Sequence, residues 1–216
     1  LEVLKSKDHF ISDEECKAVV CAILLHDIGH GPFSHALENT IVHGINHEEL
    51  SILFIERLNK EFHGELDLTL QVFKNTYKRK FLHQIISSQL DVDRLDYLTR
   101  DSFYTGVQEG IVGVDRIIKM LNIKDDSLVV EEKGIYSIEK FLVARRIMYW
   151  QVYLHKTVVS AELLVIHILK KAKDLSINGQ KLFCTKPLLK FLQADYNLSD
   201  FKSDPELLDQ FSKLDD

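Results

Sequence analysis

The sequence predicts an all-α fold, mainly helical, with one small β-hairpin near residues 127–136. Three observations carry this reading. Nine glycines and three prolines in 216 residues are about half of ordinary usage, which argues for long helices over a turn-rich β sandwich. Apolar residues recur at helical spacing over several long stretches. Ser-x-x-Glu and Asn-x-x-Glu patterns stand in front of two of those stretches, where they serve as capping boxes. A hydrophobic content of 45% supplies a core and excludes a disordered chain.

The first helix begins at the Ser12/Glu15 box. Cys16, Val19, Val20, Ile23 and Leu24 form its apolar stripe, and the spacing predicts a run to Ile28 with Gly29 as the left-handed stop. Gly31 and Pro32 make a turn, and Pro32 opens a short helix through Phe33 to Glu38. Asn46 and Glu49 cap a third helix with Leu50, Leu53, Phe54 and Leu58 on one side, which puts His47 in its first turn. Leu82, Ile86, Leu90 and Leu98 indicate helix over 81–100 with a break near Ser88. The run from Ser127 to Tyr136, with Gly134 in its turn, reads as the hairpin. Helical periodicity returns over 138–172 and implies a kink at that length. The expected organisation is a catalytic-type domain over 1–172, incomplete at its N-terminus, and a helical extension over 173–216. The chain begins at Leu1 without an initiator Met or signal pattern, so a fragment of a longer protein is expected.

Charge and cysteine usage narrow the function classes. A net charge of −6 disfavours nucleic acid as the main partner and disfavours an anionic membrane surface. The longest apolar run, from Ala18 to Leu25, is far short of the roughly 20 residues of a membrane span, so no membrane partner is expected. Three cysteines without CxxC spacing suggest neither a disulfide framework nor a thiolate zinc site, and fit a cytoplasmic location.

Chemistry concentrates in a few places. His26 and Asp27 extend the apolar stripe of the first helix, and a core-facing carboxylate is costly unless paired or metal-bound. Asp93 repeats the pattern, three after Leu90 and seven after Ile86. One His and two Asp suit a divalent cation such as Mn, Fe, Zn or Ni; a hydrogen-bonded Asp–His pair or a solvated charged face is the plainer alternative. Arg94, Tyr97 and Asp101 share an adjoining stripe. His30, His35 and His47 crowd the stretch after the His-Asp pair and suit anionic oxygen or proton transfer, whereas His43 reads as a surface residue. Arg145, Tyr149 and Tyr153 share one helix face, as a binding wall or simply as packed aromatics with snorkelling basic stems.

HDIGHGPFSHALE at His26–Glu38, NHEELS at Asn46–Ser51, QLDVDRLDYLTRDSFYTG at Gln89–Gly106 and YLHK at Tyr153–Lys156 together resemble the HD-domain phosphohydrolases. The match is nearest to the branch of deoxynucleoside triphosphate triphosphohydrolases. The resemblance implies a mainly helical fold and a divalent metal (Mn, Mg, Fe, Zn or Ni) held by His26, Asp27 and Asp93. It implies His30 and His35 as active-site histidines near the phosphates and His47 as the general acid. Arg94, Tyr97 and Arg145 correspond to triphosphate contacts, Asp101 to a partner of the sugar 3′-hydroxyl and Tyr153 to the ring beneath the deoxyribose. Tyr149 stands where the family carries a histidine, and Glu38 where relatives with a catalytic His–Asp pair carry Asp. The family's further metal histidine lies in an H-x-x-x-H-S-like motif upstream of the HD pair, and no such motif precedes His26. The cyclic-dinucleotide branch is disfavoured because its HDIGK lysine is His30 here and its GYP signature is absent.

The expected partner is therefore a nucleotide substrate, a dNTP cleaved to deoxynucleoside and triphosphate, handled by a homo-oligomer (dimer or tetramer). The alternatives are hydrolysis of another phosphoester such as a nucleoside monophosphate, and a noncatalytic nucleotide-sensing helical module.

Overall fold

The computed structural model describes residues 1–33, 35–38, 40, 42 and 44–215, with only the backbone of His35. In chain order its helices are α1 (Glu2–Lys5), α2 (Asp13–Leu25), α3 (His35–Glu38), α4 (His47–Glu61), α5 (Asp67–Phe73), α6 (Lys80–Ile86) and α7 (Val92–Thr105). After α8 (Val114–Met120) come strands β1 (Leu121–Lys124) and β2 (Ser127–Val130), then α9 (Ile135–Met148), α10 (Lys156–Ile177), α11 (Lys186–Gln193), α12 (Leu198–Ser203) and α13 (Pro205–Phe211). The mainly helical architecture is the one the sequence predicts. Among the described residues no single helix is long and apolar enough to cross a membrane. The chain forms two compact units, one of Leu1–His26 with Asn59–His155, the other of Asp27–Leu58 with Lys156–Asp216. The expected boundary at residue 172 falls inside α10.

In the first unit, α2 starts where the Ser12/Glu15 box places it, but its buried face differs from the predicted stripe. Ala18, Val19 and Ala22 turn inward together with Glu15, while Val20 and Leu24 are exposed. The residue that decides this rotation is Glu15. Its carboxylate accepts hydrogen bonds from the Ser12 amide, the Tyr77 hydroxyl and Arg79 at 2.7–3.0 Å, so a polar node sits inside the helix interface. Burial works against its charge, yet the Ser12 backbone N–H, Arg79 and Tyr77 together hold its carboxyl below the usual range. Val72, Phe81, Leu82, Ile85 and Ile86 complete this core.

The break predicted near Ser88 separates α6 from α7. Asp91 caps α7 by accepting from the amides of Arg94 at 2.8 Å and Ser88 at 3.0 Å. Leu95, Leu98 and Ser102 face inward from α7, and Phe141, Ala144 and Met148 of α9 pack in the same cluster.

The hairpin lies upstream of its expected place, at 121–130, with Leu121 opposite Val130 and Lys124 opposite Ser127. Its turn is Asp125–Asp126, both left-handed at φ 50° and 57°, a conformation Asp tolerates through its short polar side chain. Gly134 is outside the turn; a Cβ there would meet Met120 and Val130 at 2.8 Å, so glycine permits close packing beside the hairpin. A π turn, Tyr149–Tyr153, follows α9 in the stretch where a kink is expected.

The second unit has its own core. Leu37, Val42, Ile45, Leu50 and Phe54 pack with Leu169, Phe191, Phe201 and Phe211. Phe191 stacks on Phe201 at 6.1 Å and meets the edge of Phe211 at 5.9 Å. The Asn46/Glu49 box closes as predicted, with reciprocal bonds of 2.7 and 3.2 Å. The expected short helix is described over His35–Glu38.

Candidate active site

His26 is the C-cap of α2 in the first unit. The helix ends at Leu25, not Ile28, because Gly29 serves a different purpose. In the second unit its amide donates to Ser51 Oγ at 2.9 Å, and a Cβ would lie 2.2 Å from the His47 carbonyl oxygen and 2.3 Å from the Ser51 nitrogen. Glycine is required for this close approach, not for a left-handed stop. The early end of α2 also takes Asp27 off the predicted apolar stripe. Its side chain is 52% exposed, so the cost of burial does not explain it.

His26 Nδ1 donates to the Ile23 carbonyl at 2.7 Å, which fixes the tautomer and directs Nε2 toward Asp93 Oδ1, 3.5 Å away. Backbone support of this kind is the usual second partner of a metal-ligating imidazole, and a nitrogen facing a carboxylate suits a divalent cation. The residues present therefore fit a metal ligand set. Asp93 lies in the first turn of α7, and the fully buried acid is Asp91, 2% exposed, contrary to the periodicity argument for Asp93. Counting from Ile86 carries the helix through a break that Asp91 itself creates.

Around the same helix of the first unit, the structure gathers Tyr97, Asp101, Arg145, Tyr149 and Tyr153. The Tyr153 hydroxyl donates to Asp101 Oδ2 at 2.7 Å. Its ring meets those of Tyr97 and Tyr149 edge-on, at 5.9 and 5.3 Å. The π turn brings Tyr149 and Tyr153 to one side of the wall, as such turns do at many functional sites. Arg145 lies over the Tyr149 ring at 5.8 Å and donates to Gln89 Oε1 at 3.0 Å. Burial and the neighbouring Tyr149 push the Tyr97 phenol up to about 12, against the pull of Arg145 and Arg94. Burial and the Asp101 carboxylate push Tyr153 higher still. Both phenols are donors over the whole neutral range. Arg94 is held by the Asp91 carboxylate and the Ser88 carbonyl. Gln89 and Asp91 are the residues that sequence reasoning missed here; their only signal is that they flank Asp93 in the same motif.

The second unit gathers the histidines. His30 and His47 stack with ring centroids 3.9 Å apart and 16° between planes. His47 Nδ1 donates to Glu38 Oε1 at 2.8 Å, and the His47 amide reaches the same oxygen at 3.1 Å. His30 Nδ1 is 3.7 Å from Glu38 Oε1, and its Nε2 is 3.7 Å from Asp27 Oδ1. Asp27, His30 and His47 each offer a ligand atom within 4.8 Å of the others. Glu38 is thus the organising group of the cluster, paired with His47. The side chain of His35 and the whole of His43 lie outside the described residues.

Known proteins corroborate the sequence motifs. Residues 5–101 match the HD domain model, and residues 112–184 match the model of the HD associated region. A crystal structure of a phosphohydrolase from Bacteroides thetaiotaomicron superposes with a TM-score of 0.96 at 58% identity, covering 100% of this chain and 54% of that one. The Bacillus subtilis protein YwfO is 38% identical over 82% of this chain and 42% of its own length. A deoxynucleoside triphosphate triphosphohydrolase SAMHD1 homolog of Dictyostelium discoideum is 26% identical over 91% of this chain and 41% of its own length. The chain therefore spans less than half of either curated relative. The imidazole–carboxylate pairs lie inside the segment matched by the HD domain model and the tyrosine wall runs on into the associated region, which places this chain in the HD-domain phosphohydrolase superfamily.

Proposed function

We propose that this chain carries the active site of a metal-dependent phosphohydrolase that cleaves dNTPs to deoxynucleoside and triphosphate. The observation that carries the nucleotide reading is the Tyr153–Asp101 hydrogen bond set in a tyrosine wall beside Arg145. A flat ring next to a fixed carboxylate suits a sugar face and its hydroxyl, and a nearby guanidinium suits phosphate oxygens. The SAMHD1 homolog, by the activity in its name, supports the same substrate class.

His26, Asp27 and Asp93 are the proposed holders of one divalent cation. The tautomer fixed at His26 and the facing Asp93 carboxylate support this. A cation held there supplies Lewis-acid polarisation of a phosphoester. The chain's own groups do the rest. Water adds to the α-phosphorus as the bond to the sugar oxygen breaks; His47, oriented through Nδ1 by Glu38, gives its proton to that oxygen, and Glu38 stabilises the imidazolium before transfer. His30 meets phosphate oxygens, and Arg145 and Tyr97 bind the anion. Asp101 accepts from the 3′-hydroxyl, and the Tyr153 ring closes the space a 2′-hydroxyl would need.

One observation favours a second reading. Arg94 is already engaged by Asp91 and Ser88, which leaves fewer cations for a triphosphate and suits a smaller phosphoester such as a nucleoside monophosphate. Incubating the full-length protein with each dNTP and Mn²⁺ or Mg²⁺, then identifying the phosphate product, separates the readings. Inorganic triphosphate supports the proposal, orthophosphate from a monophosphate moves it to the second reading, and nucleotide binding without turnover indicates a sensor.

A further inference from the structure

We infer that Gln89 is a positioning residue for Arg145: it holds the guanidinium in the tyrosine wall through a neutral acceptor, so that the full positive charge stays available to the phosphate of the substrate. Only the identity of that anion rests on the proposed function; the hold on Arg145 stands on its own geometry. All the residues involved belong to the first unit.

The two arginines of the wall are held by opposite chemistry. Arg94 is bound by the buried Asp91 carboxylate and the Ser88 carbonyl, and a buried carboxylate in contact with a cation cancels most of its field. Arg145 is paired with no carboxylate among the described residues. Its Nη1 donates to Gln89 Oε1 at 3.0 Å, and its guanidinium lies over the Tyr149 ring at 5.8 Å. An amide oxygen and an aromatic face both orient a guanidinium without neutralising it. The charge that remains is felt by the Tyr97 phenol of the same wall, which it pulls downward.

Gln89 can act in this way because its loop, between Ile86 at the end of α6 and Val92 at the start of α7, is fixed on both sides. The Ser88 amide donates to Asp91 Oδ2 at 3.0 Å, and the Leu90 amide donates to Ser88 Oγ at 3.2 Å. The Leu90 side chain packs against the cluster that contains Leu95, Leu98 and Met148, and the Arg94 guanidinium closes the turn on the Ser88 carbonyl. Arg94 is thus tied up in building the loop that presents Gln89, and Arg145 is left as the cation that meets the anion. A long arginine side chain loses rotamer freedom when an anion orders it, and a partner that orders it beforehand removes part of that cost. A carboxylate at position 89 would order the guanidinium as well, but would compete with phosphate for it. The neutrality of the amide therefore matters as much as its hydrogen bond.

The test titrates the full-length protein with inorganic triphosphate by calorimetry, with Mn²⁺ held in constant excess. Arg145→Ala should weaken binding about 10- to 100-fold, the range for hydrogen bonds to a charged group. Gln89→Met, which keeps the length and removes the acceptor, should weaken it about 2- to 10-fold, the cost of ordering one long side chain. The KM for a dNTP should rise by the same factor, with kcat changed less. Gln89→Glu restores the acceptor and should nevertheless bind triphosphate more weakly than Gln89→Met. Combined with Arg145→Ala, Gln89→Met should cause no further loss, because it acts only through the guanidinium. Wild-type affinity in Gln89→Met or in Gln89→Glu, or a Gln89→Met loss that adds in full to that of Arg145→Ala, overturns the inference and leaves the anion site standing. A wild type that does not bind triphosphate, or Arg145→Ala that binds it like the wild type, refutes the anion site of the proposed function and removes the role of Gln89 with it.

Discussion

The tyrosine wall of the first unit and the histidine cluster of the second are held in place by different means. Tyr97, Tyr149 and Tyr153 stand on α7 and the π turn, each ring against another, over a core that includes Leu95, Leu98 and Met148. Asp27, His30 and His47 come from a turn and a helix start, and a single residue, Glu38, orders the imidazoles. The wall is shaped by packing shared over many atoms; the cluster depends on one carboxylate and one close backbone approach. Damage should therefore be graded in the wall and abrupt in the cluster.

The largest effect is expected from Asp27→Ala, which should remove the proposed metal and turnover together in the full-length protein, as read by metal analysis and by product release. Retained metal with normal turnover would break the contrast at its root. Next, His47→Ala should lower kcat by about 10²- to 10⁴-fold with metal content spared. Equal loss of metal and rate would mean that His47 holds that metal and does not donate a proton.

In the wall, Tyr153→Ala should relax sugar discrimination. A ribose would bury its 2′-hydroxyl against the ring at a cost of about 1–3 kcal/mol, which corresponds to roughly 10- to 100-fold in kcat/KM for dGTP over GTP. Equal use of both nucleotides by the wild type would discard the sugar-face assignment. Gly29→Ala tests the backbone approach, because its Cβ would sit 2.2 Å from the His47 carbonyl oxygen. Denaturant titration should show a loss of about 1–3 kcal/mol, the range for overpacking.

The smallest effect concerns pH. Tyr97 titrates up to about 12 in the folded chain against a reference of 10.0. The folded state then keeps a proton that the unfolded chain releases. Stability from this group is complete below pH 10 and falls as pH rises toward 12. Tyr97→Phe should flatten that decline in denaturation midpoints, and ultraviolet titration of the wild type should show a late-ionising tyrosine.

The same contrast explains which features are legible in the sequence. Helix starts are readable because capping is local: Ser12/Glu15 and Asn46/Glu49 close as their spacing predicts. Helical faces are not, where a polar residue chooses the interior. Glu15 is buried because Tyr77 and Arg79, more than 60 residues away in sequence, meet it, and no periodicity within α2 encodes those partners. Asp91 breaks the counting from Ile86 to Asp93 in the same way, by capping a new helix. The hairpin is displaced from its expected place because Gly134 is the stronger turn signal, while Asp125 and Asp126 adopt the left-handed conformation themselves. Within the site, the tyrosines share one face as the 0, +4, +8 spacing suggests, whereas the pairing of Glu38 with His47 joins two separate motifs. That pairing depends on the course of the chain between them, which residue spacing does not state.

The π turn at Tyr149–Tyr153 makes chain length, as well as residue identity, a determinant of the tyrosine wall. Shortening this stretch by one residue would favour ordinary α-helical winding and close the wide turn that carries Tyr149 and Tyr153. Tyr153 would leave Asp101 while Phe141, Ala144 and Met148, all upstream, kept their places in the core. A single-codon deletion here should thus yield a folded protein with altered sugar selectivity. Among relatives, a gap of one residue at this point is expected to reshape the wall in a way that no comparison of aligned residue types would register.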